Sequence, residues 1–376
     1  MLHAPIVVDR RLVPDDAPLE LAVVIPTRNE AGNVTALLAS LEIVLADLVW
    51  EAIFVDDDSS DGTAALIREI GRTNIRVRVL QRIGRHGLAS AVIEGMLATS
   101  APILAVIDAD LQHDETLLPR LYAAVREDGH DLAVGSRYVA GGGTGDWAAG
   151  RQAASRWATA LARRCLRTRL GDPMSGYFVI SREALQEALP RLSGVGFKIL
   201  LDIVASSPRA LDIVELPYRF RSRTVGESKL DLMVSVEYLE LLLEKTLGRL
   251  LPVRLVLFLI VGSLGLVVHL GVLGLAVATG LFAFAAAQTL AVGAAMTFNF
   301  TLNNVFTYRD RRLHGLRFVT GLLSFYAVCF VGAAANVGVG ALLYDAHQTW
   351  WLAGVAGAVI GSVWNFAASS VVTWRR

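Results

Sequence analysis

Ile103-Leu104-Ala105-Val106-Ile107-Asp108-Ala109-Asp110-Leu111-Gln112 joins an unbroken apolar run to two carboxylates and an amide. A short apolar run bounded by polar residues reads as a buried strand of the kind found inside parallel sheets. In open α/β sheets, ligands bind outside the carboxyl ends of the strands, which is where these polar groups fall. Alternate carboxylates in a tight turn can converge on a hard cation that keeps open positions for phosphate oxygens. A metal and a nucleotide diphosphate are the expected occupants.

On either side of this run the pattern repeats. Leu21 to Ile25, Ala52 to Val55, Ile75 to Leu80 and Leu132 to Val134 are further apolar runs, separated by the helix candidates Glu30 to Leu45, Thr63 to Ile70 and Thr116 to Arg126. Strands alternating with helices predict an α/β domain with a mostly parallel sheet. The first strand ends in Pro26-Thr27-Arg28-Asn29-Glu30 and the second in Asp56-Asp57-Asp58-Ser59-Ser60-Asp61-Gly62-Thr63, so both bring polar groups to the edge that holds Asp108. Ser60 or Asp61 suits a helix N-cap. Three successive acids exceed that need, and carboxylates there can hydrogen-bond base or ribose donors. No G-x-G-x-x-G follows the first strand and the Gly-Lys-Ser phosphate loop is absent, so hydride transfer and ATP hydrolysis lose support.

The 376 residues carry 35 basic and 35 acidic side chains, and this zero balance argues against a general nucleic-acid binder. The charges are unevenly spread. None of Asp, Glu, Lys or Arg occurs from Leu255 to Tyr308, from Phe318 to Tyr344, or from Ala346 to Trp374. A spanning helix needs about 20 apolar residues, so the first stretch holds two spans, turning near Thr279 to Phe284, and the others one each. Arginines cluster before the first span (Arg249, Arg254), after the second (Arg309, Arg311, Arg312, Arg317) and at the end (Arg375, Arg376), whereas the other two loops carry only Asp345. The positive-inside rule then makes both termini and the large N-terminal region cytoplasmic. Met1 to Asp16 shows no signal-peptide pattern, and two cysteines, Cys165 and Cys329, build no disulfide framework.

Two stretches link the halves. Arg151 to Leu170 places Trp157, Leu161 and Cys165 on one helical face and Arg156, Arg163 and Arg167 on another, and Leu230 to Leu251 gathers Glu237, Glu240 and Glu244 in one stripe. Such helices lie in the headgroup layer or pack as surface helices, and the second leads directly into a span. Within the membrane region, Asn299, Phe300, Val305, Thr307, Tyr308 and Arg309 match Asn365, Phe366, Val371, Thr373, Trp374 and Arg375 at the same spacing. Both copies end a span on the same side, which predicts two tandem helix hairpins in parallel orientation.

Further polar turns accompany the acids: Gly135-Ser136-Arg137, Asp172-Pro173-Met174-Ser175-Gly176, and Arg223, Gly226, Ser228 and Lys229. A sugar diphosphate donor and a lipid phosphate acceptor bring several negative charges together, and a site joining them needs cations such as Arg137, Arg151, Arg223 and Lys229.

With Pro26 to Glu30, Val55 to Thr63, Asp108 to Gln112, Gly135 to Tyr138, Asp172 to Tyr177 and Arg223 to Lys229 in this order, the chain resembles dolichyl-phosphate mannose synthases, inverting family-two glycosyltransferases of GT-A fold. Its membrane part resembles the four-helix GtrA-like domain fused to some of them. The resemblance implies a tail over 1–19, a GT-A domain over 20–229, an interfacial amphipathic helix over 230–252 and a four-helix membrane domain over 253–376. It places Pro26, Arg28, Glu30, Val55, Asp57 and the run Asp108, Ala109, Asp110 around the nucleotide sugar, with Arg223 and Lys229 closing over it. Asp108, Asp110 and Gln112 would hold Mg²⁺ or Mn²⁺, while Arg137 and Arg151 would receive the lipid phosphate; Asp110, Arg137, Arg151, Arg223 and Lys229 form the implied catalytic set. Arg28 stands where many relatives have Tyr, and Ala89 replaces a Gly.

The implied partners are a nucleotide sugar, GDP-mannose before UDP-glucose or another UDP-sugar, and a polyprenyl phosphate in a bilayer. A second-phosphate pKa near about 6 makes that acceptor a ready nucleophile without a protein base. His86 and His113 are accordingly expected to be incidental. A processive synthase is disfavoured because the stretch Gln152 to Trp157 misses the Q-x-x-R-W spacing by one residue. A non-catalytic lipid translocase or scaffold remains as an alternative. For the spans, plain anchoring is the simplest role, with homo-oligomerisation or lipid movement open beside it.

Overall fold

The computed structural model describes residues 18–143, 170–194, 196–221, 238, 240–245, 252–281, 284–345, 359–360 and 362–375. The chain divides into two compact units, 1–245 and 246–376; of the helix expected over 230–252, residues 238 and 240–245 are described as helical, while 230–237, 239 and 246–251 lie outside the described residues.

The first unit is built on a seven-stranded sheet: β1 Leu21–Thr27, β2 Trp50–Asp56, β3 Val77–Gln81, β4 Ile103–Val106, β5 Leu132–Ser136, β6 Phe178–Ser181 and β7 Ile213–Pro217, in the order β3-β2-β1-β4-β6-β5-β7. Only β6 runs against its neighbours β4 and β5. The five expected strands are all present, and β6 and β7 are additions to them. Between the strands lie α1 Ala31–Val44, α2 Thr63–Thr73, α3 Leu88–Leu97, α4 Leu118–Arg126, α5 Arg182–Ala188 and α6 Ile199–Ser206.

Side chains alternate across a strand, and the sequence uses both faces. Leu21, Val23, Ile25, Ile103 and Ala105 enter a core with Val34, Leu37 and Leu41 of α1 and Leu118 and Leu121 of α4. Ala22, Val24, Leu104 and Val106 enter the opposite core with Val92 and Met96 of α3, Leu185 of α5 and Ile203 of α6. The sheet is therefore covered on both sides, which is why its central strands are uninterrupted apolar runs. At Gly95 a Cβ would collide with Val24 and Val55, so α3 sits directly on β1 and β2 because that residue has no side chain.

The second unit has helices α7 Val253–Ala278, α8 Phe284–Leu302 and α9 Leu316–Asp345, followed by a described helical stretch over 362–368 that ends in a π-helical turn, Ser369–Thr373. The break between Ala278 and Phe284 falls where the sequence places it. Of the described helices, α7 is the one whose length and composition alone suffice to cross a membrane. The internal repeat has a structural counterpart: Asn303–Thr307 is also a π-helical turn, at the matching position. Equivalent residues of the two copies then meet, Tyr308 stacking on Trp374 with centroids 4.1 Å apart and planes within 6°. Phe258, Phe300, Phe325, Tyr308 and Trp374 form the core of this unit.

Candidate functional site

Strands β1, β2, β4 and β5 point the same way, so Thr27, Asp56, Val106 and Ser136 finish on one edge. Since β6 is reversed, it begins at that edge, and the turn Asp172–Tyr177 just before Phe178 opens there too. Sheet topology alone thus gathers all the described polar segments. Asn29, Asp58 and Leu111, the described non-glycine residues with left-handed φ (55°, 54° and 60°), lie just beyond β1, β2 and β4 respectively. Backbone in this region is uncommon for non-glycine residues and clusters at ligand-binding sites.

On the β1/β2 side the two loops are sewn together. Asp56 accepts from the Ser59 amide at 3.0 Å and its hydroxyl at 2.5 Å, and Ser59 Oγ accepts from the Asn29 amide at 2.8 Å. Asp61 accepts from the Ala31 amide at the start of α1 and from the Thr63 amide at the start of α2, both at 3.0 Å. It therefore satisfies the open ends of two helices, more than the single cap expected of it. Burial pushes its carboxyl up, yet bonds from Thr63 and Ala31 hold it below the ordinary carboxylate value.

Asp57 faces the β3–α3 loop, accepting from the Gly87 amide at 2.7 Å and standing 3.2 Å from the buried Arg82 guanidinium. Burial raises its pKa against the opposing influence of Gly87, Arg82, His86 and Arg28. Asp57 thus ties the end of β2 to the β3–α3 loop, and any nucleotide contact would share it with Gly87 and Arg82. Arg28 is exposed, and Pro26 and Glu30 are partly buried at the strand end, with Glu30 accepting from Asn33 Nδ2 at 2.7 Å. Val55, at the end of β2, has its side chain fully buried in the core with α3, and its carbonyl accepts from Thr27 Oγ1 at 3.3 Å.

At the acid turn, Asp110 accepts from the Gln112 amide at 3.2 Å across the left-handed Leu111. Ala109 is buried beneath the turn. Gln112 Nε2 donates to the Arg221 carbonyl at 3.0 Å and the Arg221 amide donates back to the Gln112 carbonyl at 2.9 Å. The strand end after β7 is thereby fixed alongside the acids, and Arg221 adds bonds to Glu115 at 2.7 Å and Asp114 at 3.0 Å. Asp108 contacts His113 Nε2 at 3.2 Å, and His113 Nδ1 contacts the Tyr218 hydroxyl at 3.0 Å.

Burial pushes the Asp108 carboxyl up, but the hydrogen bond and charge of His113, with the charges of Lys198 and Arg137, outweigh it and hold Asp108 below its ordinary value. Burial keeps the Tyr218 phenol well above its ordinary range, hence neutral. An ionised Asp108 only accepts, so His113 Nε2 is the donor in that contact. His113 is a packed strut, in contact with the rings of Tyr177, Tyr218 and Phe220. Sequence reasoning set His113 aside and passed over Lys198, Tyr218 and Arg221. The one available signal was that a buried histidine five residues after Asp108 needs partners.

Arg137 is 8% exposed and engages Asp172 through Nε at 2.7 Å, Nη2 at 2.8 Å and its amide at 3.1 Å. Its guanidinium also lies 5.6 Å from the ring centroids of Tyr138 and Phe220. A lipid phosphate would have to share this group with Asp172. Arg151, Arg223 and Lys229 lie outside the described residues, as does Arg151 to Leu170 except its last residue, which is buried. Arg223 follows two positions after Arg221, which is bonded to the acid turn.

The donor set fits a divalent cation. Two carboxylates one residue apart sit on a tight turn, and at Gly176 a Cβ would come within 2.7 Å of Asp108 Oδ2, so the missing side chain clears that carboxylate. No cluster of three or more His, Cys, Asp or Glu suited to a metal occurs among the described residues.

Comparison with known proteins bears on both units. Residues 22–189 match the Glycosyl transferase family 2 model, and residues 257–374 match the GtrA/DPMS transmembrane domain model. A dolichol-phosphate mannosyltransferase of Pyrococcus furiosus is 34% identical over 360 residues, which cover 95% of this chain and 99% of that protein. A dolichol-phosphate mannosyltransferase of Saccharomyces cerevisiae is 34% identical over 64% of this chain and 92% of its own length. A polyprenol monophosphomannose synthase of Mycolicibacterium smegmatis is 33% identical over 55% of this chain and 80% of its own length. Among solved structures, glucosyl-3-phosphoglycerate synthase from Mycobacterium tuberculosis with UDP gives a TM-score of 0.47 at 21% identity, covering 60% of this chain and 80% of that one.

Proposed function

The chain belongs to the dolichol-phosphate mannosyltransferase family, a family-2 glycosyltransferase domain joined to a GtrA-type membrane domain, and on that premise we propose that it transfers mannose from GDP-mannose to a polyprenyl phosphate at the cytoplasmic face of a membrane. The observation that carries this reading is the similarity over 95% of the chain to a relative with that name, since it spans both units together.

The chemistry is a single in-line displacement. An oxygen of the acceptor phosphate forms the bond to the anomeric carbon as the bond from that carbon to the diphosphate oxygen breaks, and GDP leaves with the electron pair, inverting the anomeric centre. Asp108 and Asp110, with the Gln112 amide oxygen, are the residues that would hold Mg²⁺ or Mn²⁺. Such an ion supplies neutralisation of the charge that gathers on the leaving diphosphate.

The chain's own task is to bind and orient. The phosphomonoester is largely dianionic already, with a second pKa of about 6, so no side chain need take a proton from it. This agrees with a His113 whose two nitrogens are engaged by Asp108 and Tyr218. Lys198 and Arg137 put positive charge beside the acid turn, and Arg151, Arg223 and Lys229 are assigned by family resemblance to the lipid phosphate and the donor. The arginine-rich loops set the orientation, with both chain ends and the transferase unit cytoplasmic.

Asp110→Ala is expected to lower transfer by about 10²–10³-fold or more, as loss of one electrostatic anchor does. Chelation should stop the wild-type reaction, and added Mg²⁺ or Mn²⁺ should restore it. Undiminished transfer by the variant, or in excess chelator, would contradict the proposed metal set.

A further inference from the structure

Two groups of residues must meet in the transfer: the acid turn Asp108 to Gln112 on the metal side, and Arg137, gripped by Asp172, on the acceptor side. Phe220, just beyond the end of β7 at Pro217, has its ring against both. The ring centroid is 5.5 Å from that of His113 with the planes at 82°, an edge-to-face contact, and 5.6 Å from the Arg137 guanidinium carbon. His113 in turn contacts Asp108 Oδ2 at 3.2 Å. Tyr177 and Tyr218 also lie against the imidazole and Tyr138 against the guanidinium, whereas Phe220 lies against the two together.

These contacts carry geometry as well as buried area. Aromatic pairs favour edge-to-face arrangements with centroids about 4.5–7 Å apart, and a guanidinium within about 6 Å of a ring centroid is attracted to the ring. Asp172 takes Nε and Nη2 of Arg137, and the ring of Phe220 adds a hold of a different kind. The backbone that carries this ring is itself pinned. The Phe220 amide donates to the Gly143 carbonyl at 2.9 Å, and the Arg221 amide donates to the Gln112 carbonyl at 2.9 Å. Gln112 Nε2 returns a bond to the Arg221 carbonyl at 3.0 Å, and the Arg221 guanidinium pairs with Glu115 at 2.7 Å and Asp114 at 3.0 Å. A ring on so constrained a segment can touch His113 and Arg137 together only while the acid turn and Arg137 keep one separation.

We propose that Phe220 is a positioning residue whose ring sets the distance between the metal-holding carboxylates and the phosphate-receiving Arg137, so that donor and acceptor meet in line. The inference rests on the mannosyl-transfer reading. Phe220 acts through His113 on one side and Arg137 on the other.

The test uses the full-length protein in detergent and two measurements. One is Mn²⁺ binding in the presence of GDP, read from the electron paramagnetic resonance signal of the free ion; the other is kcat/KM for polyprenyl phosphate with GDP-mannose as donor. Phe220→Leu keeps an apolar side chain and removes the ring. It should weaken Mn²⁺ binding and lower kcat/KM for the acceptor, each by about 3-fold or more, the size of a lost ring contact. Phe220→Tyr, which keeps the ring, should recover both. Should Phe220→Leu fail to fold, Phe220→Met takes its place. A smaller change in either quantity, or the same losses in Phe220→Tyr, would overturn the positioning role and leave Phe220 as packing. Wild-type protein that binds no Mn²⁺ with GDP, or transfers no mannose, would instead overturn the mannosyl-transfer reading and the positioning role with it.

Discussion

At Asp172 one buried carboxylate takes three N–H bonds from Arg137, while the amides of Gly171 and Asp172 are held by Glu215 at 2.6 and 3.0 Å. Breaking a buried pair by removing one partner leaves an uncompensated charge and costs about 3–5 kcal/mol. Asp172→Asn should accordingly lower the denaturation midpoint of the purified protein, checked by thermal unfolding followed by near-ultraviolet circular dichroism; an unchanged midpoint would show that Arg137 is solvated another way. At this scale the sequence discloses what lies side by side. Asp108 and Asp110 are readable because they share one turn, and so is the polarity of Asp57. The partners of Arg137, His113 and Lys198 are not readable, because each depends on a residue brought near by the fold: Asp172 is 35 positions from Arg137, and Tyr218 is 105 from His113.

Among elements, the turn between Asp172 and Tyr177 does most to shape the acid site. It feeds the one reversed strand, so it enters the edge where the others leave, and Gly176 passes so close to Asp108 that a methyl group would meet the carboxylate at 2.7 Å. Gly176→Ala should displace Asp108 and reduce transfer by about 10-fold or more, since small misplacements at a reacting centre are costly, while the unfolding midpoint changes little. Full activity in that variant would mean that Asp108 has room to move. The strands β1, β2, β4 and β5 are legible because each is a largely apolar run buried on both faces, and β3 because Val77 and Val79 alternate with Arg78. β6 is only four residues long and follows directly from a polar turn, and β7 carries Glu215 and Pro217 and is partly exposed along its length, so neither shows the pattern of a buried strand. Pro217 also fits the edge position, where its missing N–H interrupts no ladder.

Across the whole molecule, two units with different solvents share one chain. The membrane unit is organised by its repeat: Trp374 stacks on Tyr308, donates through Nε1 to Asn304 Oδ1 at 3.1 Å, and accepts at its carbonyl from Arg311 Nη1 at the same distance. The repeat was visible as matching letters; that the matched residues touch each other was not, since spacing says nothing of pairing. Trp374→Ala removes a large buried ring at a cost of about 3–5 kcal/mol, so the detergent-solubilised protein should lose thermal stability, with Trp374→Phe losing less. Equal stability in both variants would place the stack outside the core of that unit.

The central claim is that the acid turn at the sheet edge serves mannosyl transfer to a lipid phosphate. It is tested most directly by giving the purified full-length protein polyprenyl phosphate with Mg²⁺ or Mn²⁺ and either radiolabelled GDP-mannose or radiolabelled UDP-glucose, then counting label in the organic phase. The account predicts label from GDP-mannose in a lipid product with inverted configuration, and none when Asp110 is replaced by Ala. Label entering lipid from UDP-glucose but not from GDP-mannose would contradict it.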